Sequence, residues 1–159
     1  VSTGDMLRDE IEKNSEIGKE ITNSMNQGKF VNDEIVNKLI KNVIFDPQKM
    51  DKLIFDGYPR SISQAKNLDL LLNNSNQNIK FIFFLNVDKN TIIKRIEKRK
   101  VLEARSDDDS TTIIKRYDTY METTRPVLDF YSKNPNFYEI DGALEINEIT
   151  AKIDAFINV

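Results

Sequence analysis

The chain contains neither cysteine nor histidine. Without cysteine there is no disulfide framework, which suits a cytoplasmic setting. Without histidine, a Ser-His-Asp or Cys-His nucleophile is excluded, and so is a zinc site with the usual nitrogen and sulfur ligands. No apolar run is long enough to span a bilayer, and Val1 opens no secretory signal, so no membrane partner is expected. Glycine is scarce. The five present stand at positions 4, 18, 28, 57 and 142, and none is followed by Lys-Ser or Lys-Thr. Positive charge is not in excess either: the net charge is -3, so nucleic acid is not the expected partner and any anion site must be a local cluster. What remains is a supply of carboxylates, lysines and arginines. Phosphoryl transfer can run on such groups, because it needs positioning and charge neutralisation more than proton transfer. At 159 residues, with no repeat and no linker, one domain with a real core is expected.

The stretch the chain turns on is 52–60. Leu53, Ile54 and Phe55 read as a short buried strand, and Asp56, Gly57 and Pro59 stop it abruptly. The strand then emits a carboxylate, a flexible glycine and Arg60 at its C-terminal end, the edge where open α/β sheets bind ligands. Arg60 offers a planar fork for a phosphate, and Asp56 suits a hydrated metal ion. An ordinary polar turn is the plainer alternative.

Elsewhere the pattern alternates. Ser2 or Thr3 caps a first helix with Asp5 in its first turn and Arg8 one turn in, a local anion site or simply a capped helix. Ser15 caps a second helix with Ile17, Ile21 and Met25 on one face, ended by Gly28. Asn32 caps a third, with Ile35, Val36, Leu39, Ile40, Val43 and Ile44, closed by Pro47. Ser61 or Ser63 starts a fourth through Leu68, Leu71 and Leu72. The run 79–87 is the clearest strand, expected to be covered on both faces. Asp88 or Asn90 caps a helix with Ile92, Ile93 and Ile96 inward. Ser106, Asp107, Asp108 and Asp109 form an acidic entrance to a long helix, which Pro126 breaks or kinks before Val127 and Phe130. A last strand over 136–140 and a closing helix over 145–157, with Ile146, Ile149, Ile153 and Phe156, complete an α/β fold: a parallel sheet with helices on both faces, in three layers.

Arg95, Arg99, Arg105 and Arg116 form a basic cluster. Arg95 and Arg99 share a helix face, and two helices joined by a short loop aim the set at one place. A solvated charged face is the bland alternative. Together with Arg8 and Arg60, the cluster favours a site for two anions.

These residues resemble the adenylate kinases over nearly the whole chain. The carriers are Ser2, Thr3, Gly4, Asp5, Met6, Leu7 and Arg8; Gly28, Lys29, Phe30 and Val31 with Asp33 and Glu34; Phe55, Asp56, Gly57, Tyr58, Pro59 and Arg60 with Gln64; and Arg95, Arg99, Arg105, Asp107, Asp108 and Arg116. The resemblance implies a P-loop nucleoside monophosphate kinase fold, acting as a monomer on ATP, AMP and ADP with Mg²⁺ and without zinc. It implies a monophosphate-binding subdomain over 2–31, a short lid over 99–108 and a core from the remainder. Thr3, Arg8, Lys29, Phe30, Val31, Gly57, Tyr58, Pro59, Arg60, Gln64, Arg105 and Arg116 would hold AMP. Arg95, Arg99 and Leu144 would meet ATP. Arg60, Arg99, Arg105 and Arg116 would be catalytic, and Asp56 would hold the metal through water. Thr3 and Gln64 favour AMP over the pyrimidine nucleotides of the related UMP/CMP kinases.

One departure stands out. The family's opening strand and glycine-rich loop, GxxxxGK[ST], have no counterpart in the sequence, a unit of roughly 30 residues. The expectation is an N-terminally truncated member with its first strand missing, binding AMP weakly and transferring phosphoryl groups poorly. A non-catalytic nucleotide-binding remnant is the alternative.

Overall fold

The computed structural model describes residues 1–27, 29, 31–50, 52–103 and 110–158. Four helices come first: α1 (Thr3–Glu12), α2 (Glu16–Asn26), α3 (Asp33–Ile44) and α4 (Ile62–Asn74). Local chemistry sets their starts. The hydroxyls of Ser2, Ser15 and Ser61 accept from the main-chain N–H of Asp5, Gly18 and Gln64, and Asn32 Oδ1 accepts from Glu34. The expected end of α2 at Gly28 lies outside the described residues; the described helix stops at Asn26. Where α1 crosses α2 the chain needs a glycine, since a Cβ on Gly18 would stand 2.1 Å from the Glu10 carbonyl oxygen. Ile21, Ile40 and Ile44 are fully enclosed, and with Leu7, Val36, Leu68 and Leu72 they form the main core between these helices.

The second half is a parallel pair of strands, β1 (Ile82–Asn86) and β2 (Phe137–Asp141), in register from Ile82 opposite Phe137 to Asn86 opposite Asp141. Parallel strands need a long crossover. Here it is α5 (Lys89–Glu103), α6 (Ser110–Thr119), a π-helical turn (Tyr120–Thr124) and α7 (Arg125–Tyr131). Asp88 starts α5 by accepting from the N–H groups of Asn90 and Thr91. The expected break at Pro126 takes the form of the π-helical turn. A proline at the start of α7 has no N–H for the preceding turn, and the widened turn absorbs the mismatch. The acidic entrance at 106–109 lies outside the described residues. The chain closes with α8 (Ile146–Ile157), entered through a capping box between Glu145 and Glu148.

Two expectations need correction. The stretch 52–55 is not a buried ladder strand. Among the described residues it makes one parallel bridge, between Asp56 and Ser2, and Ile54 is 78% exposed. Among the described residues its pairing partners are Val1 and Thr3 at its edge, which leave the Ile54 side chain outward. The run 79–87 is a five-residue strand rather than a fully covered one: Phe81 and Leu85 are exposed, because a two-stranded sheet offers little for a helix to cover. On α8 no side chain is buried and Ile146 is 80% exposed, since the helix meets the sheet mainly through Phe156 on Phe83 and Tyr138. No helix among the described residues is long and apolar enough to cross a membrane.

Candidate active site

A cleft of about 920 Å³ opens between α1, the 55–60 turn, the end of β1, α5 and the π-helical turn. Its floor is built at Gly57. That residue has φ +70°, in the left-handed region that favours glycine. Its carbonyl accepts from Thr3 Oγ1 at 2.8 Å and from Arg60 Nε at 2.8 Å. One carbonyl thus fixes both a buried hydroxyl from the α1 entrance and a guanidinium from the turn. The fit is tight, because a Cβ on Gly57 would sit 2.7 Å from Arg60 Nη2.

Arg8, Arg60, Arg99 and Arg116 all line this cleft. Burial lowers the pKa of the Arg60 guanidinium first; the charge of Arg116 adds to that, Asp56 pulls the other way, and Arg8 lowers it further. Arg8, Arg60 and Arg116, from separate elements, are therefore close enough to repel. Arg8 is steadied by an ion pair to Asp5 one turn earlier on α1. Arg60 is tied a second way: Thr124 Oγ1, from the π-helical turn, donates to its carbonyl at 3.0 Å.

The sequence-predicted residues do not all meet. Thr3, Lys29, Val31, Gly57, Tyr58, Pro59 and Gln64 line the cleft with Asp56. Arg95 does not. Its guanidinium donates to the Gly142 carbonyl at 2.6 Å and to those of Ala143 and Leu144 at 3.3 Å, clipping α5 to the loop after β2. Leu144 is likewise outside the lining. Arg105 and Phe30 lie outside the described residues. Ile92 and Ile96, expected inward in a core, are half-buried and face the cleft instead. Tyr117, Tyr120 and Thr124 also line it and were not anticipated. The only signal for them was Pro126, which marks a helix that has to deform just upstream. Burial raises the pKa of the Tyr120 hydroxyl, so it stays a neutral donor at the wall.

Beneath the cleft runs a polar network. Gln64 is 3% exposed. Its Oε1 accepts from the Arg60 main-chain N–H at 2.7 Å, and its Nε2 donates to Asp33 Oδ1 at 2.6 Å. Ser61 Oγ donates to the other Asp33 oxygen at 2.7 Å. The Tyr58 hydroxyl sits between Asn37 Oδ1 at 2.9 Å and the Gln64 carbonyl at 3.3 Å.

As a metal site the cleft offers Asp56, an exposed carboxylate at the rim. Among the described residues no group of three or more acidic side chains could cage an ion. One carboxylate fits Mg²⁺, which keeps several waters and completes its shell with substrate phosphates. A cationic, partly desolvated cleft with one carboxylate and an amide suits a phosphate ester bearing a base.

Sequence comparison agrees with that chemistry. A family model described as Adenylate kinase matches residues 1–136. A protein named Adenylate kinase from Pelagibacter ubique (strain HTCC1062) is 43% identical over 185 residues, covering 100% of this chain and 87% of that protein. Another from Caulobacter sp. (strain K31) is 35% identical over 159 residues, covering 100% and 84%. A third, from Nocardioides sp. (strain ATCC BAA-499 / JS614), is 32% identical over 159 residues, covering 100% and 83%.

Proposed function

The chain belongs to the adenylate kinase family, an α/β family of phosphotransferases, and from that premise we propose how its residues divide the reaction ATP + AMP ⇌ 2 ADP. AMP occupies the part of the cleft nearest α1. Arg8 and Arg60 grip its phosphate, Gln64 reads the adenine edge, and Thr3, the main chain of 29–31 and the turn of Gly57, Tyr58 and Pro59 shape the pocket. The observation that carries this is the single cleft lined by Thr3, Arg8, Arg60, Gln64, Arg99 and Arg116.

Arg99, Arg105 and Arg116 face the transferring phosphoryl group, where charge spreads over the equatorial oxygens and fixed guanidinium forks stabilise it. Arg105 and Arg116 also reach the AMP phosphate. Arg95 and the loop ending at Leu144 border the ATP base; the carbonyls that Arg95 holds are acceptors a 6-amino group could share. Asp56 would hold Mg²⁺ through water, and the ion would supply neutralisation of phosphate charge. Closure of a short lid over 99–108 excludes water. Ile82 and Phe137 pack toward α4 and α7, while Phe83 and Tyr138 pack toward α8. That arrangement supports a three-layer sheet with helices on both faces.

The 159 residues carry no GxxxxGK[ST] loop. The usual main-chain cradle and lysine for the ATP phosphates are therefore not among them. Titration calorimetry with AMP, CMP, UMP and a dinucleotide polyphosphate tests the division. AMP should bind ahead of the pyrimidine nucleotides, and equal binding of all three monophosphates would sink the AMP assignment.

A further inference from the structure

We propose that Asp33 is a positioning residue that locks the amide of Gln64 in one orientation, and thereby sets a preference for a 6-amino over a 6-oxo purine. The inference rests on the reading above, in which Gln64 faces the base of the bound monophosphate. It goes beyond that reading because Asp33 itself does not line the cleft.

A glutamine head looks much the same either way round, so what decides its orientation is its neighbours. Here both neighbours are one-sided. The Arg60 main-chain N–H can only donate, and it meets Oε1 at 2.7 Å. The Asp33 carboxylate accepts, and it meets Nε2 at 2.6 Å. A flip would set N–H against N–H at Arg60 and oxygen against carboxylate at Asp33. Both contacts would be lost at a residue only 3% exposed, where water cannot replace them.

Asp33 is itself well anchored. It is the first residue of α3, and its second oxygen accepts from Ser61, the N-cap of α4. Ser61 Oγ in turn accepts from the Gln64 main-chain N–H at 3.1 Å. The carboxylate therefore joins two helix starts to the side chain between them.

The locked amide leaves one lone pair on oxygen and one N–H on nitrogen for a ligand, in a fixed order. An adenine edge presents a 6-amino donor beside the N1 acceptor, which matches oxygen then nitrogen. A hypoxanthine edge in the same pose presents a 6-oxo acceptor beside an N1–H donor. It would face oxygen with oxygen and N–H with N–H. Only the flipped amide would suit it, and Asp33 opposes the flip.

The probe pair is AMP and IMP, which differ at this edge alone, titrated calorimetrically against the full chain. The native chain should prefer AMP. In Asp33→Ala the AMP:IMP affinity ratio should fall by about tenfold, within the usual worth of a bidentate amide–base pair. Asp33→Asn, which keeps an acceptor but can itself turn round, should give an intermediate ratio. A folded Asp33→Ala that weakens AMP and IMP equally, or changes neither, overturns the proposal, since a merely structural carboxylate would do that. If the alanine variant does not fold by circular dichroism, the Asp33→Asn ratio decides, and a native ratio there overturns it. Gln64→Leu separates the two levels. A collapsed ratio in Gln64→Leu with a native ratio in both Asp33 variants defeats the lock but keeps the site. An unchanged ratio in Gln64→Leu, or no saturable AMP binding by the native chain, defeats the site reading and the lock with it.

Discussion

Gly57→Ala separates backbone strain from phosphate recognition in one substitution. At φ +70° an alanine costs about 1–2 kcal/mol relative to glycine. The added Cβ would stand 2.7 Å from Arg60 Nη2 and 3.3 Å from Thr3 Oγ1. The first contact is the end of a flexible side chain, so the clash itself is relieved by movement rather than by unfolding. Movement is what matters for function, because the guanidinium swings off the Gly57 carbonyl that holds its Nε at 2.8 Å. A charge-assisted hydrogen bond is worth about 1.5–3 kcal/mol, so loss of one Arg60–phosphate contact should weaken AMP by roughly 10- to 150-fold. Urea unfolding reads the first effect and titration calorimetry the second. Adenosine, which lacks the phosphate, should lose far less affinity than AMP. If adenosine and AMP weaken equally, Arg60 is not a phosphate ligand. If neither midpoint nor affinity moves, the account of the Gly57 floor is wrong.

Two other outcomes follow from packing and charge. Gly18→Ala would put a Cβ 2.1 Å from the Glu10 carbonyl oxygen, a backbone contact that cannot swing aside, so α1 and α2 must separate. A loss of about 1–3 kcal/mol in urea unfolding is expected, with an unchanged midpoint counting against it. The Tyr131 hydroxyl, held up by burial first and then by Asp69, titrates above its ordinary 10.0 in the folded chain. Below pH 10 both states hold the proton and nothing changes. Above it the unfolded chain releases the proton first, so stability should fall by up to about 1.4 kcal/mol per pH unit. Tyr131→Phe should flatten that alkaline limb, and an unchanged slope would contradict the assignment.

Features decided within one turn of chain were legible in the sequence. Ser15 and Asn32 cap as read, and Ser2 and Asp88 cap where Thr3 and Asn90 were the alternatives, because a capping side chain needs only its own next few residues. Ser61, read with Ser63 as alternatives, caps α4 through the same short-range bond. Pro126 announced a break but not its form, since a kink and a π-helical turn solve the same missing donor. Burial was less legible. Ile54 and Ile146 carry the right side chains for a core, yet their exposure depends on which distant segments cover them. At the site, the arginines could be listed from the sequence but not sorted. Arg95 and Arg99 are one turn apart on α5, and only the structure sends one to the carbonyls of 142–144 and the other to the cleft. The contact from Gln64 to Asp33 spans 31 residues and has no sequence signal at all.

The sorting has a mechanical cause. Four arginines at the cleft ride on separate elements: Arg8 on α1, Arg60 on the turn, Arg99 on α5, Arg116 on α6. Flexible lysines on one surface helix would simply splay apart in water. Arginines mounted separately cannot all retreat, and Arg60 is held by its main chain as well as by its fork. Gln64 takes its N–H, Thr124 takes its carbonyl, and Gly57 takes its Nε. The Thr124 bond matters most here, because the π-helical turn continues directly from the helix that carries Arg116. Through that bond the main chain of Arg60 is tied to the helical run that carries Arg116. Guanidinium groups from four separate elements thus line one cleft. This is the preorganisation that phosphoryl transfer requires of a site whose chemistry is almost wholly electrostatic.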